Sequence, residues 1–61
     1  MKFNIKSYAE AEVELARFKV GRNPDDQQQK DRLAYWLAEL GNIEEALTYA
    51  SEDMKNRING K

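Results

Sequence analysis

Residues 33–50, LAYWLAELGNIEEALTYA, set two apolar helical faces on either side of a Gly41-Asn42 pair. Glycine suits the left-handed position that ends a helix, and asparagine suits the cap that starts the next one. Glu45 stands three residues after Asn42, the spacing at which a capping carboxylate reaches back to the cap N–H. Before the break, Leu33, Trp36, Leu37 and Leu40 fall on one side of a helix; after it, Ile43, Ala46, Leu47, Ala50, Met54 and Ile58 follow at helical spacing. Faces joined by so short a break must fold onto each other. The pattern therefore predicts an antiparallel hairpin of helices over about 24–40 and 43–58, with Gly60 ending the second.

The residues ahead of this hairpin read as a third element. Ser7 with Glu10 has capping-box spacing, which predicts a helix over about 8–20. Residues 1–6 alternate apolar and polar and are expected to form an extended arm that lays Phe3 and Ile5 on the helices. Helix 8–20 carries two stripes. Tyr8, Ala11, Leu15 and Phe18 form the larger, expected to face the hairpin; Ala9, Val13, Ala16 and Val20 form a second, expected to stay open as a partner or dimer interface. Gly21 is expected to end this helix, and Asn23 with Pro24 to cap and open the next, where Asp25 and Asp26 meet the positive helix end. Trp36 shares the Leu33 stripe and is expected in the core, whereas Tyr35 points away from it as a candidate partner anchor. The fold class is all-α, a three-helix bundle in a single domain spanning 1–61.

A chain of 61 residues with neither Cys nor His has no disulfide or imidazole-based metal site to brace it. Its core is small enough that help from a second copy is expected, so the partner reading includes a homodimer. The net charge of −1 gives no global attraction to nucleic acid or anionic lipid. The N-terminal stretch lacks the apolar run of a signal peptide, and no stretch is long enough for a membrane span. A soluble, cytoplasmic protein is expected.

Catalytic chemistry finds little to work with. Ser7, Thr48 and Ser51 have no His to activate them. Neighbouring acids such as Glu44/Glu45 and Glu52/Asp53 diverge by about 100° around a helix and serve its positive end. No calcium-loop pattern or phosphate-cradling glycine loop occurs, so no catalytic residue, metal ligand or cofactor is expected. The basic cluster Arg17, Lys19 and Arg22 favours a helix C-terminus.

The stretch AELGNIEEALTYA resembles the turn of a tetratricopeptide-type helical hairpin: Gly41 closes one helix, and Ala46 and Leu47 open the packed face of the next. The resemblance covers residues 33–58 and implies hairpin geometry; Lys30, Ala34 and Asp53 depart from the family pattern, and a single copy does not make a solenoid. The same residues resemble a helix-turn-helix, but Glu44, Glu45, Glu52 and Asp53 would face the phosphates of DNA. Taken whole, a short, charged helical chain of this kind resembles the small early-region accessory proteins of lambda-like temperate phages, which implies a non-enzymatic protein that alters host physiology by binding something. The sequence thus points to a small interaction or regulatory protein that docks a helical face on a protein partner, the alternative being a nucleic-acid-binding regulator with a degenerate helix-turn-helix.

Overall fold

In the computed structural model, residues 5–60 are described, and they form four helices: α1 (Ile5–Arg22), α2 (Gln27–Glu39), α3 (Ile43–Tyr49) and α4 (Glu52–Asn59). No strand occurs among these residues. The all-α class stands, but the bundle has four helices where three were expected, because the last one is broken in two. Helix α2 is the centre of the arrangement. It packs against α1 on one side and α3 on the other, and α4 lies against both α2 and α3.

Helix α1 starts earlier than the Ser7 spacing suggests. Ile5 and Lys6 are already helical, so Ser7 is inside α1 and is not its cap; of the expected arm, residues 1–4 lie outside the described residues. Gly21 is likewise a helical residue within α1 and does not take a left-handed conformation. The chain then turns over Asn23–Asp26. The Asn23 N–H closes on the Lys19 carbonyl at 3.0 Å, and the Asp26 N–H on the Asn23 carbonyl at 3.1 Å. Pro24 thus occupies the second position of a four-residue turn, where its fixed φ is favourable, and does not open a helix. The cap of α2 is Asp26, whose carboxylate accepts from the Gln29 N–H at 3.3 Å.

The inward face of α1 is the reverse of the expected one. Ala9, Val13 and Ala16 are buried and Val20 is half-buried against the core, while Tyr8, Leu15 and Phe18 are exposed. The reason is steric. The opposing surface of α2 already supplies Leu33 and Leu37, both fully buried, beside Ala34. Small side chains on α1 let the two helices close to native packing density, whereas Tyr8 and Phe18 facing those leucines would wedge them apart. Ala46, Ala50 and Ile58 complete the same buried cluster from α3, the α3–α4 break and α4. Burying the Ala9/Val13/Ala16/Val20 stripe inside the chain removes it as a surface for a partner or a twin.

The α2–α3 connection follows the sequence closely. Gly41 has φ +87°, the Gly41 N–H donates to the Ala38 carbonyl at 3.0 Å, and the Asn42 N–H donates to the Leu37 carbonyl at 2.9 Å. These paired bonds satisfy carbonyls that the helix end leaves without partners and reverse the chain within three residues. Asn42 precedes α3 without a side-chain capping bond.

Helix α3 stops after seven residues because Ala50 and Ser51 are extended, with ψ of 141° and 172°. Ser51 caps α4 by accepting from the Met54 N–H at 3.3 Å. The break is pinned from α2. One Asp31 oxygen accepts from the Ser51 N–H at 2.8 Å and the other from the Ser51 hydroxyl at 2.9 Å. Gln27 bridges the same region, donating to Asp31 at 2.9 Å and to the Tyr49 carbonyl at 3.0 Å. On the far side of the fold, Arg17 of α1 pairs with Glu45 of α3 at 2.7 Å.

Candidate docking surface

The outer edge of α2 gathers three aromatic side chains, Tyr8, Tyr35 and Trp36. Trp36, expected in the core, is half-buried at its margin. Its ring stands edge-on to Tyr8 of α1, with centroids 5.3 Å apart, and to its neighbour Tyr35, with centroids 5.0 Å apart. Such T-shaped contacts set the positive edge of one ring against the electron-rich face of the next and fix all three orientations. Tyr35 points outward as the sequence suggests and is 44% exposed.

Beyond Tyr35 the surface opens into a groove of about 460 Å³ where α2, the start of α3 and α4 meet. Tyr35 and Ala38 of α2, Ile43 of α3, and Met54 and Ile58 of α4 line it, with Glu39 and Arg57 adding one charge of each sign. The groove exists because α3 and α4 are separate helices. Bent at Ala50–Ser51, α4 returns alongside α2 and brings Met54 and Ile58 opposite Tyr35 and Ala38, so the Asp31–Ser51 contact that pins the bend also sets one wall. A second hollow, lined in part by Ile5, Ala9 and Leu40, adjoins the same end of α2 and shares Glu39 with the groove.

Burial pushes the Asp31 carboxyl up, but bonds from the Ser51 N–H, the Gln27 amide and the Ser51 hydroxyl, together with the charge of Arg57, outweigh it and hold the group below its ordinary value near 3.8. Arg57 therefore links the groove to the latch behind it. The Ser51 hydroxyl beside a carboxylate has the outline of a nucleophile and its base, but both groups are engaged in capping: the hydroxyl also accepts from Met54, and the carboxylate also holds the backbone N–H. Among the described residues no cluster of acidic, His or Cys side chains could hold a metal ion, and no helix is long and apolar enough to cross a membrane.

Of the five residues singled out from sequence, only Tyr35 lines the groove; Ala9 reaches the adjoining hollow and, with Val13, Ala16 and Val20, serves the core or its edge. The sequence reading missed Tyr8, Ile43, Met54 and Arg57. Tyr8 was assigned inward, and Ile43 and Met54 were assigned to a continuous helix whose apolar side would have been covered along its length. Compared with known proteins, the chain matches no family model, no curated protein and no solved structure.

Proposed function

We propose that the protein is a non-enzymatic interaction module whose groove receives the apolar face of an amphipathic helix from a partner protein. The observation that carries this reading is the groove itself: five apolar or aromatic side chains from three helices converge on one open hollow, flanked by a fixed aromatic stack. Helix-in-groove recognition uses this combination, with apolar anchors at helical spacing inside and a few charges to set orientation. Glu39 and Arg57, of opposite sign, would align a helix carrying the complementary pair. The resemblance to small phage accessory proteins agrees with a role in which binding alone redirects a host component.

The nucleic-acid reading finds no favouring feature. The helix that would enter a groove of DNA is seven residues long and opens with Glu44 and Glu45, and α4 opens with Glu52 and Asp53. Their carboxylates oppose the phosphate contacts on which such binding depends.

The test is affinity capture from lysate with the parent chain and with Tyr35→Ala and Ile43→Asp, each with and without nuclease. Both positions are exposed, so the variants keep the fold. A nuclease-resistant protein retained by the parent and lost by both variants is the expected result. Equal recovery by all three chains would remove the groove from consideration, and nuclease-sensitive recovery would favour the nucleic-acid reading.

A further inference from the structure

No glycine or proline lies between Asn42 and Gly60, and the apolar residues Ile43, Ala46, Leu47, Ala50, Met54 and Ile58 keep the spacing of one unbroken helix across the bend at Ala50–Ser51. Local sequence permits the break, through the Ser51 cap, but does not require it. What holds the two helices apart is a set of substitutes for the hydrogen bonds that a continuous helix would make. The Ser51 N–H, which in such a helix would donate to the Leu47 carbonyl, donates to Asp31 at 2.8 Å. The Met54 N–H, whose helical acceptor would be the Ala50 carbonyl, donates to the Ser51 hydroxyl at 3.3 Å. The Tyr49 carbonyl, which would accept from the Asp53 N–H, accepts from the Gln27 side chain at 3.0 Å. Three polar side chains thus stand in, one for one, for three bonds of the missing turn.

We propose that residues 43–59 are a two-state element: the bent form described above, and a minor form in which Ser51 releases Asp31 and α3 and α4 run on as a single straight helix. Exchanging one set of bonds for the other leaves their number nearly even, and hydrogen bonds traded in this way contribute little net free energy. The bent form is then favoured by what α4 covers, a single buried side chain in Ile58 with Met54 half-buried at the edge of the core. An advantage of that size places the straight form at roughly 0.1 to 10% of molecules. The packing of α1 on α2 and the turn at Gly41-Asn42 do not depend on the bend and are common to both forms.

Straightening carries Met54 and Ile58 away from Tyr35 and Ala38, so the straight form has no groove. On the reading that the groove receives a partner helix, on which this one consequence rests, an occupant binds the bent form alone, and the equilibrium sets how much of the chain is competent to bind.

The test needs no partner, so its failure and that of the docking reading can be told apart. Relaxation-dispersion NMR on the full chain should show exchange at the amides of residues 51–54 on the microsecond to millisecond scale. In the minor state the Cα shifts of Ala50 and Ser51 should be helical and those of residues 52–59 should stay so. Releasing the latch with Asp31→Ala and Ser51→Ala together should raise the minor population by about tenfold or more, and Ser51→Ala alone, which keeps the carboxylate, should raise it less. Glu52→Pro should quench the exchange. Glu52 is the first residue of α4, where proline is tolerated and keeps the residue before it extended, as Ser51 already is. Inside a continuous helix the same ring clashes with the preceding turn, which disfavours the straight form roughly a hundredfold. No exchange in either the parent or the unlatched chain, minor-state shifts of random coil at Ala50 and Ser51 or through α4, or exchange of equal amplitude in Glu52→Pro would each overturn the proposal.

Discussion

The Asp31 carboxylate takes both the backbone N–H and the hydroxyl of Ser51, at 2.8 and 2.9 Å, across twenty residues of sequence. Through these two bonds the middle of α2 holds the point at which the last helix breaks. One acid thereby does three things: it accepts the Ser51 N–H that the start of α4 leaves without a partner, fixes the direction in which α4 leaves, and sets the wall of the groove.

Because the folded chain holds the Asp31 carboxyl below its ordinary value near 3.8, the group binds its proton more readily in the unfolded chain. Its contribution is therefore complete above the unfolded value and is lost as pH falls through the lower folded one. Urea midpoints followed by the fluorescence of Trp36 should fall more steeply in the parent than in Asp31→Asn between about pH 5 and pH 2. At neutral pH, Asp31→Ala should cost about 1 to 2 kcal/mol, allowing for partial exposure of the charged bonds. If the two chains lose stability in parallel as pH falls, Asp31 is not a latch.

Gly41 and Gly21 should respond in opposite directions to the same substitution. Gly41→Ala forces a Cβ into a left-handed residue and should lower stability by about 1 kcal/mol, although nothing crowds the site itself. Gly21→Ala adds a helix-forming residue to the last turn of α1 with open space around it, and should raise stability by up to about 1 kcal/mol. Thermal melts of the two variants check this, and a higher melting temperature for Gly41→Ala would count against the reversal of the chain at Leu40–Asn42.

Leu37 is fully buried at the centre of α2, whereas Leu47 on α3 is only half-buried. Leu37→Ala should cost about 2 to 5 kcal/mol, enough to unfold most of so small a domain, and Leu47→Ala should cost distinctly less. Circular dichroism at a single temperature distinguishes them. Equal unfolding of both would move the centre of the core toward α3.

Gln29 buries its amide oxygen with no hydrogen-bond partner. Replacing the amide with an apolar side chain of similar length removes a buried acceptor that folding strips of water. Gln29→Met should raise the stability by about 1 kcal/mol in urea titrations; a loss would show that the amide is making contacts that matter.

How far each feature could be read from sequence depended on the range of the interactions that decide it. The turn at Gly41-Asn42 is settled by backbone chemistry within three residues, and the structure follows the reading there. The start of α4 is also local: Ser51 followed by Glu52 and Asp53 is a cap with acids in the first turn, but the unbroken spacing from Ile43 to Ile58 concealed it. At the start of α2, Asn23 and Asp26 are both capping residues, and the Asn23-Pro24 turn took the first of them. The orientation of α1 is different in kind. Either stripe suits a helix, and the choice is made by Leu33 and Leu37, whose bulk demands small residues opposite. Asp31 was illegible for the same reason, since nothing near it in sequence identifies Ser51 as its partner. The groove depends on both the bend and the latch, which is why only Tyr35 of its lining was found in advance.

The division of the last helix at Ala50–Ser51 bears on how the molecule moves. Helix α4 has eight residues, a single buried side chain in Ile58, and a tether to α2 at its cap, Ser51. A segment so lightly attached opens as a unit long before the α1–α2–α3 core does, and its amides should exchange with solvent orders of magnitude faster than those around Leu33 and Leu37. The groove accordingly has one rigid bank, on α2, and one compliant bank, on α4. Compliance lets the bank spread to admit side chains of different girth, and each occupant that closes it gives up the freedom of eight residues, so binding should be adaptable in sequence and modest in strength.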